Sequence, residues 1–185
     1  RKEPLINLLR FFATGPDAPR IQDSRRVDQL YRRSRLSLLV AVLFGYGCLD
    51  TCRLGMSVVK KPLIDDGLFN ADELGKIGSW IFWGYAIGRL VNGFLADHAN
   101  LKKFFATGVL LSAVVNLIMG TWASYWLWAI LWGLNGWFQG FGAPAAIVSL
   151  ARWFGARERG RFYGIWSASH SIGEGLTFVG TATLV

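Results

Sequence analysis

The sequence predicts an all-helical membrane protein, and three observations carry this prediction. Of 185 residues, 52% are hydrophobic and only 17% are charged, which is too little charge to cover a soluble domain of this size. The charges are also clustered, since residues 104–151 contain none at all. No apolar run alternates with polar residues at a period of two, which favours helices over the strands of a membrane barrel.

Five apolar segments are long enough to cross a bilayer, for which a helix needs about 20 residues. The uncharged stretch has about twice that length, and we expect it to reverse near Trp122–Tyr125, whose aromatic rings suit a membrane interface. A basic tail, residues 1–35, precedes a partial transmembrane half, residues 36–185. The predicted spans are residues 36–59, 74–96, 104–121, 126–151 and 162–185.

The connecting segments predict the orientation. The tail carries a net charge of +5, and the segments 97–103 and 152–161 carry +1 and +3, whereas 60–76 carries −1. Because basic loops stay on the cytoplasmic side, we expect a multi-pass protein of the inner (plasma) membrane with a cytoplasmic N-terminus. The lipid bilayer is therefore the expected partner of these basic segments, and nucleic acid is not.

Small residues mark the expected helix contacts. Gly84-x-x-x-Gly88 and Gly136-x-x-x-Gly140 place flat patches on helix faces, where they serve either tight packing or the lining of a cavity. Cys48 and Cys52 lie four residues apart on one helix face, and we expect two small buried side chains there. The pattern predicts neither a metal site nor a cofactor.

The charges inside the spans are the candidate functional residues, because an ionised side chain at mid-membrane is costly without a partner, a wet cavity or a function. Asp50 and Arg53 share one face of the first span, and His170 and Glu174 share one face of the fifth. Either pair can neutralise itself or serve the function. Arg89 has no acid within a helical turn, so a partner from another helix or a ligand is expected.

Residue chemistry indicates an anionic ligand rather than a chemical reaction. No phosphate-binding glycine loop, metal cluster or nucleophile elbow is present, so we expect no enzyme. Arginine provides a permanent planar fork that matches phosphate oxygens, and histidine can exchange a proton near neutral pH. Arg53, Arg89 and His170, presented by three helices, would together suit an anion such as a phosphate.

Two stretches resemble a known family. Gly93-Phe-Leu-Ala-Asp97 with Lys102-Lys103 is similar to the signature loop of the major facilitator superfamily, in which the glycine allows close helix approach, and Arg152 resembles its basic partner. The stretch 131–175 resembles the organophosphate:phosphate antiporter family within it. The motifs that carry this second resemblance are Leu131-Trp-Gly-Leu-Asn-Gly-Trp-Phe-Gln-Gly140, Trp153-Phe154, Glu158-Arg-Gly160, Trp166 and Ser169-His170.

The resemblance implies the first five transmembrane helices of a twelve-helix fold. It implies substrate contacts for Arg53 on the first span, Arg89 on the second and His170 on the fifth. It also implies a conformational loop formed by Gly93, Asp97, Lys102, Lys103 and Arg152. This chain departs from the family at Asp50 and Glu174, which place negative charge where a phosphate would bind. Three alternative effects are expected from this charge: a lower affinity, an altered substrate or a locked resting state.

Two functions are compatible with these expectations. The first is an alternating-access carrier that exchanges an organic phosphate, such as a sugar phosphate or glycerol phosphate, for inorganic phosphate. The second is a membrane sugar-phosphate sensor that signals to a partner histidine kinase, which the long basic tail favours. Because the chain starts at Arg1 and ends in an apolar run, we expect further helices of the same protein as partners. A truncated, non-functional half is the third interpretation.

Overall fold

The computed structural model describes residues 11–16 and 19–183, and the described chain forms long α-helices with no strand. The first ten residues and residues 17–18 of the predicted tail, with the last two residues of the predicted fifth span, lie outside this description. The helices are α1 (Ser24–Asp65), α2 (Ala71–His98), α3 (Leu101–Met119), α4 (Tyr125–Gln139), α5 (Gly142–Trp153) and α6 (Ala156–Ala182).

Short polar side chains fix where the first three helices begin. The Asp23 carboxylate accepts a hydrogen bond from the backbone N–H of Arg25 at 3.0 Å, which starts α1 well before its apolar part. Asn70 and Glu73 form a reciprocal capping box at the start of α2, and Asn100 caps α3. Each cap satisfies N–H groups that the first helical turn leaves unpaired. These caps therefore set the first residue of each helix. α1 (Ser24–Asp65) extends beyond the predicted span at both ends.

The region of the predicted fourth span consists of two helices, α4 and α5, instead of one. Pro144 has no N–H to continue the helical hydrogen-bond ladder. Gly140 and Phe141 form a tight turn at this point, and their backbone angles remain in the right-handed helical region. The N–H of Phe141 bonds the carbonyl of Phe138 at 3.1 Å, in the i→i+3 pattern of a tightened turn. The two helices thus follow each other with only two residues between them.

The outward-facing surfaces of the helices are unusually apolar. Large hydrophobic side chains remain extensively exposed on several helices, among them Phe44, Phe82, Leu90, Phe94 and Leu117. Such extensive apolar exposure marks a surface made to contact lipid or further protein. By length and composition, α1 and α3 qualify as candidate membrane spans among the described helices. α4 and α5, at 15 and 12 residues, are each too short to qualify separately.

Glycines bring α2 and α4 into the most extensive interface between described helices. A methyl group added at Gly84 would collide with the carbonyl oxygen of Gly133, and one at Gly136 would collide with that of Ile81. The backbone of the opposite helix also leaves no room for a side chain at Gly88 or Gly140, where an added Cβ atom would lie 2.8 Å from the nearest backbone atom. Both glycine motifs therefore serve direct backbone packing, one against the other.

We expect Gly84→Ala to destabilise the protein by about 1–3 kcal/mol, because the new methyl group meets rigid backbone and forces α2 away from α4. Thermal unfolding of the purified protein in detergent measures the effect. Gly93→Ala, on the same helix, is the matched control, because an added Cβ at Gly93 meets no atom within 4 Å. Equal melting temperatures for the two variants would contradict this account of the interface.

Candidate functional site

Two helical stripes of polar and aromatic side chains face each other between α1 and α6. Tyr46, Asp50 and Arg53 recur at intervals of four and three residues on α1. Trp166, His170 and Glu174 recur at intervals of four on α6. These spacings place each trio on one helix face, so the contact between α1 and α6 brings all six side chains together. The sequence contains both stripes, but only the fold shows that they meet.

Asp50 is the centre of this cluster. Its side chain is only 2% exposed, and its two oxygens have different partners: Arg53 Nη2 at 2.8 Å and His170 Nδ1 at 3.2 Å. When Asp50 is ionised its carboxylate only accepts hydrogen bonds, and the Nδ1 atom of His170 then donates in this contact. A buried carboxylate requires such compensation. The charged residues of the two spans therefore pair across the helices through Asp50.

Arg53 connects the buried carboxylate to a second, more exposed one. Its Nη2 atom also contacts Glu174 Oε1 at 3.1 Å, and the Glu174 side chain is 43% exposed. Both ion pairs use the same guanidinium nitrogen, so neither engages Nη1 or Nε. A guanidinium can bind a carboxylate or phosphate through two parallel N–H groups. Arg53 thus retains N–H groups outside its two carboxylate contacts.

Aromatic rings enclose His170 on two sides. The Tyr46 ring lies 4.3 Å from the imidazole, edge to face, and the Trp166 ring lies 5.2 Å away. Tyr46 and Trp166 also contact each other, with ring centroids 5.1 Å apart. This packing fixes the imidazole plane toward Asp50. Tyr46, the aromatic partner that sequence analysis did not select, is detectable as an aromatic residue one turn before Asp50.

Arg89 lies apart from the ion cluster, the group formed by Asp50, Arg53, His170 and Glu174. Its guanidinium donates to the Tyr85 hydroxyl at 3.2 Å, one turn earlier on α2, and lies 5.6 Å from the centre of that ring. The expected partner from another helix or a ligand is thus replaced in this structure by a hydroxyl of its own helix.

A buried amide network positions the α1 side of the site, and sequence analysis did not identify it. Gln139 Nε2 donates to the Leu49 carbonyl at 2.8 Å, and Asn135 Nδ2 donates to the Cys52 carbonyl at 3.2 Å. The Ser112 hydroxyl bonds both amides. The two amide donors of α4, bridged by Ser112 of α3, hold the segment of α1 that carries Asp50 and Arg53. In the sequence, the signal for this network is a pair of amide side chains, Asn135 and Gln139, four residues apart in an uncharged stretch.

The predicted conformational loop is only partly assembled. Arg152 donates to the backbone carbonyl of Asp97 at 3.1 Å, so these two residues meet. Lys103 instead reaches the tail, donating to the Phe11 carbonyl at 3.1 Å. Lys102 lines a cavity of about 1080 Å³ between α1, α3 and α5. No described element approaches Gly93 closely, contrary to the close helix contact expected there.

Cys48 and Cys52 are half-buried free thiols rather than fully buried side chains. Cys48 borders a groove of about 570 Å³ between α1 and α6, which does not include the ion cluster. Among the described residues, no group of three or more His, Cys, Asp or Glu is arranged to hold a metal ion.

The sequence profile of the Major Facilitator Superfamily matches residues 29–185. The chain is 30% identical over 169 residues to the membrane sensor protein UhpC of Salmonella typhimurium, covering 91% of this chain. It is 32% identical over 176 residues to a probable hexose phosphate transport protein of Chlamydia pneumoniae, covering 95% of this chain. A glycerol-3-phosphate transporter of Bacillus subtilis is 32% identical over 173 residues, covering 91%.

The chain spans 38–39% of the length of these relatives. They are named as transporters and a membrane sensor, which confirms the prediction that the chain is not an enzyme. They also confirm the resemblance to the organophosphate:phosphate antiporters and the prediction of an all-helical membrane fold built from the first five transmembrane helices.

Replacing the central amide tests the network that positions α1. We expect Gln139→Leu to lower the free energy of unfolding by about 1–2 kcal/mol, because two buried hydrogen bonds are lost. Thermal unfolding in detergent provides the measurement. Gln29→Leu, at an exposed position of α1, is the control and should leave the stability nearly unchanged. A Gln139 variant as stable as the wild type would show that this network does not hold α1.

Proposed function

Because the chain belongs to the Major Facilitator Superfamily, we propose that it forms part of a carrier that exchanges an organic phosphate for inorganic phosphate by alternating access. The relatives named for hexose phosphate and glycerol-3-phosphate transport support a phosphorylated substrate. The observation that carries the proposal is Arg53, a half-exposed guanidinium on a membrane helix that neighbours His170 through a shared carboxylate.

In this proposal Arg53 grips the phosphoryl group. Its Nη1 and Nε atoms are outside its two carboxylate contacts, and such a pair of N–H groups matches two phosphate oxygens. His170 shares or senses the phosphate proton from beside Asp50. Arg89, on α2, adds positive potential that draws an anion inward. The binding site would lie near the bilayer midplane, where such carriers bind their substrates.

The proposed placement follows the charge pattern of the sequence. The protein would reside in the inner (plasma) membrane with residues 1–35 in the cytoplasm and residues 36–185 within the transmembrane half. In this orientation Asp97, Lys102, Lys103 and Arg152 lie at the cytoplasmic side. The contact of Arg152 with the Asp97 carbonyl would then couple α2 to α5 at that membrane face. Further helices of the same protein would complete the substrate pathway.

A membrane sensor is the second candidate, because one relative is named as a membrane sensor protein and aligns over 91% of this chain. Such a protein would bind an organic phosphate at the same residues and signal to a histidine kinase without moving the ligand. We expect a single liposome preparation to distinguish the two functions. A carrier would give saturable counterflow of labelled sugar phosphate in liposomes, whereas a sensor would bind the ligand with no counterflow.

Counterflow of labelled inorganic phosphate into liposomes that contain the full-length protein tests the role of Arg53. We expect Arg53→Ala to reduce exchange at least tenfold, because a charge-assisted double hydrogen bond to phosphate is worth about 1.5–3 kcal/mol. Arg53→Lys should retain part of the activity, since its charge remains but the planar fork is lost.

Arg35→Gln is the matched control for that experiment. Arg35 lies on the same helix and also forms an ion pair with α6, through Glu158, but it is far from His170. We expect its exchange rate to stay within twofold of the wild type once protein amounts are matched. Exchange that is absent in the wild type, or unchanged in Arg53→Ala, would overturn the proposed carrier function.

A further inference from the structure

The Glu174 carboxylate binds the Arg53 guanidinium in the way that an anionic ligand would. Its carboxylate oxygen lies 3.1 Å from Nη2, although Glu174 belongs to a different helix and lies 121 residues further along the chain. Arg53 already has a carboxylate partner within its own helix, since Asp50 lies at 2.8 Å. The second carboxylate is therefore not needed to neutralise the guanidinium.

The charges of the cluster oppose the entry of a phosphate. Asp50 and Glu174 contribute two negative charges, and Arg53 contributes one positive charge. The cluster thus carries −1 when His170 is neutral and zero when His170 is protonated. An incoming phosphate would bring one or two further negative charges to a cluster that is already neutral or negative. One of the two carboxylates must leave or lose its charge before the phosphate can bind strongly.

The two carboxylates differ in their freedom to move. Asp50 is 2% exposed and is held from two directions, by Arg53 and by His170. Glu174 is 43% exposed and has Arg53 as its ion-pair partner among the described residues. A rotation about the side-chain bonds of Glu174 would release Arg53 without disturbing Asp50. Exposed ion pairs of this kind contribute little to stability, so replacing the pair with a ligand contact costs little free energy.

We propose that Glu174 is a resident counter-ion of Arg53 that a phosphate must displace, and that it thereby sets the affinity of the site. This inference rests on the proposed phosphate function. It assigns Glu174 a role in ligand selection: weak or singly charged anions fail to displace the carboxylate, whereas an oxyanion that binds Arg53 through two oxygens succeeds. Glu174 thus raises the concentration of phosphate that is needed to occupy the site.

Equilibrium binding of labelled inorganic phosphate to the purified full-length protein in detergent tests the proposal. We expect Glu174→Gln, which keeps the shape and removes the charge, to bind phosphate about three- to fivefold more tightly than the wild type, the range that a partly exposed ion pair allows. Glu174→Asp, which keeps the charge, should retain an affinity close to that of the wild type. Glu174→Ala provides a second neutral variant if the glutamine variant folds poorly.

Glu158→Gln is the matched control. It removes one carboxylate from the other ion pair between α1 and α6, with Arg35, and we expect its phosphate affinity to change less than twofold. A gain of affinity confined to the neutral Glu174 variants supports the proposal, because structural damage weakens binding instead of strengthening it. Binding by Glu174→Gln that the wild type lacks would support it equally.

The failures of the two proposals are distinguishable. If the wild type binds phosphate and Arg53→Ala does not, while both neutral Glu174 variants bind no more tightly than the wild type, the counter-ion role is overturned and the proposed function remains. If neither the wild type nor any Glu174 variant binds phosphate, the proposed function is overturned, and the counter-ion role with it.

Discussion

The buried carboxyl group of Asp50 is the constraint around which the rest of the site is arranged. A carboxylate that is 2% exposed between membrane helices needs partners, and it obtains them from Arg53 on its own helix and His170 on α6. The contact of Asp50 with His170 and that of Arg53 with Glu174 fix the register between α1 and α6. The aromatic rings of Tyr46 and Trp166 then pack around the imidazole, and the amides of Asn135 and Gln139 hold α1 from its other side.

Much of the fold was predictable because bilayer thickness and apolar run length are visible in one dimension. The helical class and the segments that form each helix follow from the positions of charged residues. The turn at Gly140 and Phe141 was less accessible, because Pro144 breaks one helical hydrogen bond while the backbone angles around it stay helical. The starts of α1, α2 and α3 depend on single Asp and Asn caps, which hydropathy does not register.

The site was predictable as a set of residues but not as a set of contacts. Asp50, Arg53, His170 and Glu174 are recognisable as charged or titratable groups within apolar spans. Spacing suggests pairs within each helix. The structure contains the expected Asp50–Arg53 pair, but it pairs His170 with Asp50 and Glu174 with Arg53 across the helices. Helix rotation decides between these arrangements, and the rotation of α1 and α6 depends on their own packing, such as the approach of Gly173 to Gly47, where an added Cβ would lie 3.4 Å from the Gly47 Cα atom. Arg89 is bound by Tyr85 for a different reason, because the two residues lie one turn apart on the same face of α2.

Two ion pairs join α1 to α6, one near the start of α6 and one within the ion cluster. Arg35 pairs with Glu158, and Arg53 pairs with Glu174. The residues of the two pairs increase in the same direction on both helices, so α1 and α6 run parallel. At 1.5 Å per residue the two pairs are separated by roughly 24–27 Å along the helix axes, so the Arg53 pair lies well inside the apolar segments that begin near the Arg35 pair. The two helices are thus joined at two widely separated levels and would tilt together as one rigid unit, so that any rocking motion hinges at other helix contacts.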